Sequence, residues 1–286
     1  MNILVLGGTG TVGSAVVAAL VDRGASVTVL SRSPERTAQL PSGVGAVHGD
    51  LQAPKTIRSI FKGRDAVFLL NTVSPTEAQE GLMSVIGITE ADVGRVVYLS
   101  VHQADQAPHL PHFGMKLPVE AAIRKSGIPY TILRPNSFIQ NDLWFKDAML
   151  QYGVYPQPIG NVGLSRVDVR DIAEAAAIAL TEDGHEGATY NLVGPAAHTG
   201  ESTARGWSEA LGREVAYGGD DLDAWEAQML QYMPAALVFD FRHMYDFFQR
   251  QGLEATEDDI ARQTRLLGHG PRSFEDFARE TAATWS

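Results

Sequence analysis

Gly7-Gly8-Thr9-Gly10-Thr11-Val12-Gly13 is the stretch of this chain whose residue types and spacing most clearly suit chemistry. Glycine stands at three useful points. Gly7 permits a tight turn, Gly10 lets the backbone approach a pyrophosphate, and Gly13 lets a helix pack closely on a strand. A helix opening at Thr11 would aim unpaired N–H groups and its positive dipole end at those phosphates. The stretch lies between an apolar run and an amphipathic one, the setting in which such a pattern is informative. About twenty residues beyond Gly13 stand Ser31 and Arg32, where a dinucleotide fold places its ribose discriminator. A carboxylate there would hold the 2′-hydroxyl of NAD and repel a 2′-phosphate. A hydroxyl beside a guanidinium does the opposite, so NADP(H) is expected over NAD(H).

The elements that must position these residues follow from periodicity. Short apolar runs at Asn2–Leu6, Ser26–Leu30, 44–48, 66–70, 95–100 and 130–133 read as strands covered on both faces of a parallel sheet. Between them lie helical patterns. In residues 11–23, Val12, Ala15, Val16, Ala19 and Leu20 form one apolar stripe, and Gly24 then ends the helix. Further helices are expected at 54–61, 76–91 and 116–126. Strand and helix in regular succession predict an α/β fold with a doubly wound, Rossmann-like parallel sheet. Asp50, after the third strand, is placed to meet an adenine amino group. Asn71, after the fourth, is placed to meet the cofactor's central region or the substrate. Either residue would serve equally well as a loop cap.

After Pro135 the rhythm changes. Helices are expected at 142–151, 169–180 and 199–211, with a strand at 189–193. From Asp221 the chain reads as mostly helical. This predicts a dinucleotide-binding domain over residues 1–150, completed by segments from about 163–195. A smaller, mostly helical lobe follows over 196–286. In that lobe Trp225, Met229 and Met233 recur at helical spacing, as do Leu237, Phe241, Met244 and Phe248. Such stripes are more often core than ligand box, yet some of these residues are expected to give an apolar, aromatic-lined pocket for a flat substrate.

Composition narrows the function. The chain has 286 residues, of which 44% are hydrophobic and 20% charged, the balance of a globular protein with a sizeable core. It has no cysteine, which excludes a disulfide scaffold, a thiolate zinc site and a cysteine nucleophile. A net charge of −11 makes nucleic acid and anionic membranes poor partners. No apolar run spans a bilayer and no secretory signal opens the chain, so a cytoplasmic location is expected. No GxSxG elbow is present to suggest a hydrolase.

GGTGTVG at the amino end, SRSPER after the second strand, HGDLQAP after the third, RVVYLS in the fifth and SGIPYTILRPNSF around the sixth resemble the NmrA-like atypical short-chain dehydrogenases/reductases. The likeness is close over roughly residues 1–195 and looser beyond. It implies either of two functions. One is an NADPH-dependent oxidoreductase of quinone-like or aromatic small molecules, some relatives serving aromatic natural-product pathways. The other is a dinucleotide sensor that binds NADP(H) without turnover and acts through a protein partner. A homodimer or a protein partner stays open.

Hydride transfer needs a held nicotinamide, a proton donor and polar groups around the developing oxyanion. Tyr-dependent short-chain reductases use a Ser ending the fifth strand, then a Tyr, then a Lys four residues on. Ser100 and Lys116 match that pattern, but His112 stands where the Tyr belongs. Lys116 is expected to bond the nicotinamide ribose and to stabilise nearby anions. His112 could donate a proton near neutrality, although its loop, with Pro108 and Pro111, reads as flexible and solvated. The spacing of His102, His109 and His112, with Asp105 alone nearby, does not suit a metal centre. Pro135, Asn136 and Phe138, with Asn141 nearby, are expected at the nicotinamide end, at the carboxyl edge of the sheet.

Overall fold

The structure, a computed structural model, describes residues 1–285. Its strands are β1 (Asn2–Leu6), β2 (Ser26–Ser31), β3 (Gly45–His48), β4 (Ala66–Leu69), β5 (Arg95–Leu99), β6 (Tyr130–Pro135), β7 (Val154–Tyr155), β8 (Ala188–Leu192) and β9 (Ala216–Tyr217). The helices begin with α1 (Thr11–Asp22), α2 (Pro34–Thr37), α3 (Pro54–Ile60), α4 (Glu77–Glu90), α5 (Pro111–Gly114) and α6 (Lys116–Lys125). Then come α7 (Lys146–Tyr152), α8 (Val169–Thr181), α9 (Gly200–Leu211) and α10 (Leu222–Met229). The last three are α11 (Ala235–Gln251), α12 (Glu257–Leu267) and α13 (Phe274–Trp285). The chain divides into two compact units: Met1–Pro135 with Val169–Asn191, and Asn136–Asp168 with Leu192 onward.

The first unit holds a seven-stranded sheet in the order β3-β2-β1-β4-β5-β6-β8. The pairs β1–β2, β1–β4, β2–β3, β4–β5 and β5–β6 are parallel. Strand order reverses between β1 and β4, the switch point at which open α/β sheets bind ligands beyond their carboxyl ends. Alternation along the strands builds two cores. Leu4, Leu6, Val67, Leu69, Val96 and Tyr98 pack with Ile57 and Ile60 of α3, Val85 and Ile88 of α4, and Val119 and Ile123 of α6. Ile3, Val5, Phe68 and Val97 point the other way and are equally buried, on the side where α8 packs on α1. The ends of β3 correct one expectation. This strand lies at the sheet edge, so Gly45, Ala46 and His48 are exposed instead of covered on both faces.

In the second unit the chain is anchored as soon as β6 ends. Asn136 donates through Nδ2 to the Leu253 carbonyl (2.7 Å) and accepts at Oδ1 from the Ser137 N–H (2.8 Å). The tie lies within the second unit, which begins at Asn136 and not near residue 150. The helix expected at 142–151 begins instead as a 3-10 turn, Ile139–Phe145, and becomes α-helical at Lys146. Phe145, with φ −106° and ψ 15°, separates the two. β7 and β9 pair in parallel as a second, two-stranded sheet, too short for sequence periodicity to register.

Candidate active site

Gly7 follows β1 with φ +71°, a left-handed conformation that favours glycine, and its N-terminal turn is closed by the Gly10 N–H donating to the Gly7 carbonyl (3.0 Å). A Cβ on Gly13 would lie 2.1 Å from the Gly7 carbonyl oxygen, so α1 can approach the turn only without a side chain there. Gly10 differs. A Cβ there would meet only the Gly7 oxygen, at 3.4 Å, so packing within the protein does not demand glycine. The helix that follows has no side-chain cap and no acidic residue in its first turn. Val12 is buried in the core while Gly10 and Thr11 are exposed, so this end of α1 presents backbone N–H groups to an approaching anion.

Beside the loop lies a cleft of about 490 Å³, lined by Gly7, Thr9, Ser31, Arg32, Arg36, Asp50, Asn71 and Glu80 among others. It brings together the glycine turn, the end of β2 and the ends of β3 and β4, all at the switch point. Arg32 and Arg36 are exposed, and no carboxylate among the described residues pairs with either. Arg36 was not singled out by spacing; it reaches the cleft because α2 turns the chain back immediately after β2. The Ser31 hydroxyl is engaged locally, donating to the Ser33 carbonyl (3.0 Å) and accepting from the Ser33 N–H (3.1 Å). Asp50 caps its own loop through the Gln52 N–H (2.9 Å). Asn71 is buried, and among the described residues neither its Oδ1 nor its Nδ2 has a hydrogen-bond partner.

The residues expected to do chemistry sit in two buried ion networks. Lys116, the first residue of α6, places Nζ 2.5 Å from Oε1 of Glu77, the first residue of α4. The same Nζ lies 3.4 Å from the Leu99 carbonyl at the end of β5 and 5.8 Å from the centre of the Tyr98 ring. The Ser100 hydroxyl donates to Glu120 Oε1 (2.6 Å), and Arg134 grips that carboxylate at both oxygens (2.9 and 2.8 Å). Burial pushes the Glu120 carboxyl up, but hydrogen bonds from Arg134 and Ser100 outweigh it and hold the group below its ordinary value of 4.5. Because the folded state lowers this pKa, its stabilisation is present above about pH 4.5 and is lost as pH falls further. Glu120→Gln should therefore lower Tm at neutral pH and flatten its decline in acid, checked by melting curves from pH 7 to pH 3.

His112 corrects the expectation of a solvated loop. It is buried in α5 and stands edge-to-face on Phe113, with ring centres 4.8 Å apart. The surrounding segment is held down by Ala104, Ala107, Leu110 and Phe113, all buried. His102 is buried as well, and His109 is exposed. Pro135 is buried at the end of β6, next to the Asn136 that ties the second unit; Phe138 forms a parallel bridge with Val167, and Asn141 is half-buried.

Spacing alone missed two acids. Glu77 falls on the same helical face as the buried Gly81, Ser84, Val85 and Ile88 of α4, and a carboxylate on a core stripe signals a buried cation opposite. In the second unit, Asp142 accepts from Tyr155 Oη (3.1 Å), Gln157 Nε2 (2.9 Å), Arg166 (2.7 Å) and Trp207 Nε1 (2.9 Å). Around this hub Trp225 packs edge-to-face on Tyr245 (5.0 Å), and Tyr245 on Phe248 (6.2 Å). The expected aromatic stripe is thus at least partly core. Leu230, Tyr232 and Phe239 remain exposed.

The NmrA-like family matches this chain over residues 1–278. An NAD(P)H azoreductase of Xenophilus azovorans is 32% identical over 288 residues, covering 99% of both chains. A (4-alkanoyl-5-oxo-2,5-dihydrofuran-3-yl)methyl phosphate reductase of Streptomyces griseus is also 32% identical, again over 99% of each. An NADPH-dependent quinone oxidoreductase of Escherichia coli, solved with NADPH, superposes with a TM-score of 0.86 at 24% identity, covering 98% of this chain and 99% of that one. Glycine turn, sheet order and sequence likeness converge along almost the whole length, and on that ground the chain belongs to the NmrA-like family.

Proposed function

We propose that this chain is an NADPH-dependent oxidoreductase that passes hydride to quinone-like or other flat aromatic acceptors, aromatic natural products included. One observation carries most of the weight. Among the described residues the buried Asn71 amide has no partner at either atom, in a cleft that also receives the glycine turn and two guanidinium groups without a carboxylate partner. An unsatisfied buried amide costs about 1–3 kcal/mol, and a polar ligand lying in the cleft would remove that cost. The residues present fit NADP(H). The N–H groups of Gly8 to Gly13 suit the pyrophosphate, and Arg32 with Arg36 suits the 2′-phosphate. Ser31 shapes the turn that presents Arg32, and Asp50 stands beside the adenosine end. When bound, the reduced nicotinamide supplies hydride. Lys116 is then a cation at the carboxyl end of β5, Ser100 stiffens that strand end through Glu120, and His112 is the candidate proton donor. The acceptor class is supported by relatives named as an azoreductase and a quinone oxidoreductase.

The test pairs calorimetric titration of NADPH with its absorbance decay against a panel of quinones and azo dyes. Binding plus decay is expected; no heat with either nicotinamide nucleotide would overturn the reading. Binding without decay would favour a dinucleotide sensor, a rival that the missing Tyr before Lys116 favours. Arg32→Asp should weaken NADPH by about tenfold or more while leaving NADH unharmed, since it removes a charge-assisted contact and adds a repulsion. Equal loss for both nucleotides in parallel titrations would count against Arg32 as discriminator.

A further inference from the structure

The Glu77–Lys116 pair is costly to keep. Glu77 is wholly buried and Lys116 nearly so, and taking two such charges out of water costs several kcal/mol per ion before their attraction is counted. Lys116 opens α6 directly after the single turn of α5. Glu77 opens α4, where the dipole favours an acid. One helix thus lends its carboxylate to a cation carried by the other.

The place where Nζ is held matters. It sits 3.4 Å from the carbonyl of Leu99, the last residue of β5, and the carboxyl ends of strands are where open α/β sheets bind ligands. The floor of the cleft is close by. A Cβ on Gly81, one turn beyond Glu77, would touch Val119 Cγ2 at 2.6 Å and Asn71 Oδ1 at 3.2 Å. Val119 is one turn beyond Lys116. α4 and α6 therefore meet beside the unpartnered amide, with the ion pair one turn away on both helices. The Tyr98 hydroxyl, buried and without a hydrogen-bond partner among the described residues, belongs to the same region; burial and then the charges of Glu77 and Glu120 push its pKa well up, so it stays protonated.

We propose that Glu77 is the positioning residue for Lys116, holding its ammonium at the end of β5 so that it meets the nicotinamide half of the bound cofactor. This rests on the NADP(H) reading above. In place of the tyrosine that partners lysine in Tyr-dependent reductases, the partner here is a carboxylate arriving from a different helix.

The experiment titrates NADPH, followed by nucleotide fluorescence, into wild type, Lys116→Met, Glu77→Gln, Glu77→Asp and the double variant Glu77→Gln/Lys116→Met, with thermal melting of each. Lys116→Met and Glu77→Gln are each expected to raise Kd about tenfold, the size of one charge-assisted contact. The double variant should bind no worse than either single one, and Glu77→Asp should recover much of the affinity. Affinity, read beside melting, supplies the readout that a purely structural acid would not move. Glu77→Gln leaves a buried charge unpaired and lowers Tm, whereas the double variant regains Tm without regaining affinity. If Lys116→Met weakens binding while Glu77→Gln, folded, binds as wild type, the proposal is overturned and the NADP(H) reading stands. If Lys116→Met itself binds as wild type, Lys116 has no such role and the proposal falls. Failure of wild type to bind NADPH would overturn the NADP(H) reading instead, and the inference with it.

Discussion

Asp142→Ala should destabilise the second unit by about 3–5 kcal/mol, the cost of stranding a buried partner charge. The Arg166 guanidinium is buried, and its closest anion is Asp142 at 2.7 Å. Removing the carboxylate leaves that cation facing Phe274, 4.9 Å from the ring centre, and strips Tyr155, Gln157 and Trp207 of their shared acceptor. In the intact protein burial, reinforced by the Asp142 charge, pushes the Tyr155 pKa well up, so Tyr155 is present there as the neutral phenol. All four tryptophans (Trp144, Trp207, Trp225 and Trp285) belong to the second unit, so urea unfolding followed by their emission reports this unit specifically. Asp142→Asn, which keeps an acceptor oxygen but no charge, should fall between wild type and Asp142→Ala. Equal midpoints for all three proteins would show that the hub contributes nothing.

The second large effect separates two glycines of one loop. Gly13→Ala drives a methyl group to 2.1 Å from the Gly7 carbonyl and 2.8 Å from the Gly8 Cα, all of it backbone that cannot swing aside. Expected are a loss of about 1–3 kcal/mol from overpacking and a loss of nucleotide affinity of about a hundredfold, because the N–H groups aimed at the phosphates move with the turn. Gly10→Ala meets nothing closer than 3.4 Å, so its Tm should stay near wild type. If the pyrophosphate lies against Gly10, its affinity for NADPH should nonetheless fall. Melting and calorimetry on the two variants check both halves. An unchanged affinity in Gly10→Ala would place the phosphates elsewhere.

Legibility in the sequence followed the range of the physics. β1, α1 and the glycine turn are local, and the 3.6-residue stripe from Val12 to Leu20 with the apolar run before it sufficed to place them. β3 misled because a short apolar run looks the same whether its strand has one neighbour or two. The 3-10 segment at 139–145 misled because Asp142 turns inward to partners at 155, 157, 166 and 207, which no window of neighbouring residues contains. Ser31 and Asp50 were visible as candidates, but their local hydrogen bonds were not, since those depend on how each loop closes. Lys116 was legible through its spacing from Ser100. Its partner lies thirty-nine residues earlier on another helix, and only the buried stripe of α4 hinted at it.

The chain enters the first unit, leaves it after Pro135, comes back at Val169 and departs again after Asn191. During synthesis, then, the ribosome must deliver the last strand of the large sheet and α8 before that sheet can be closed. A nascent chain paused anywhere between 136 and 168 leaves uncovered the apolar face of α1 on which α8 will later pack.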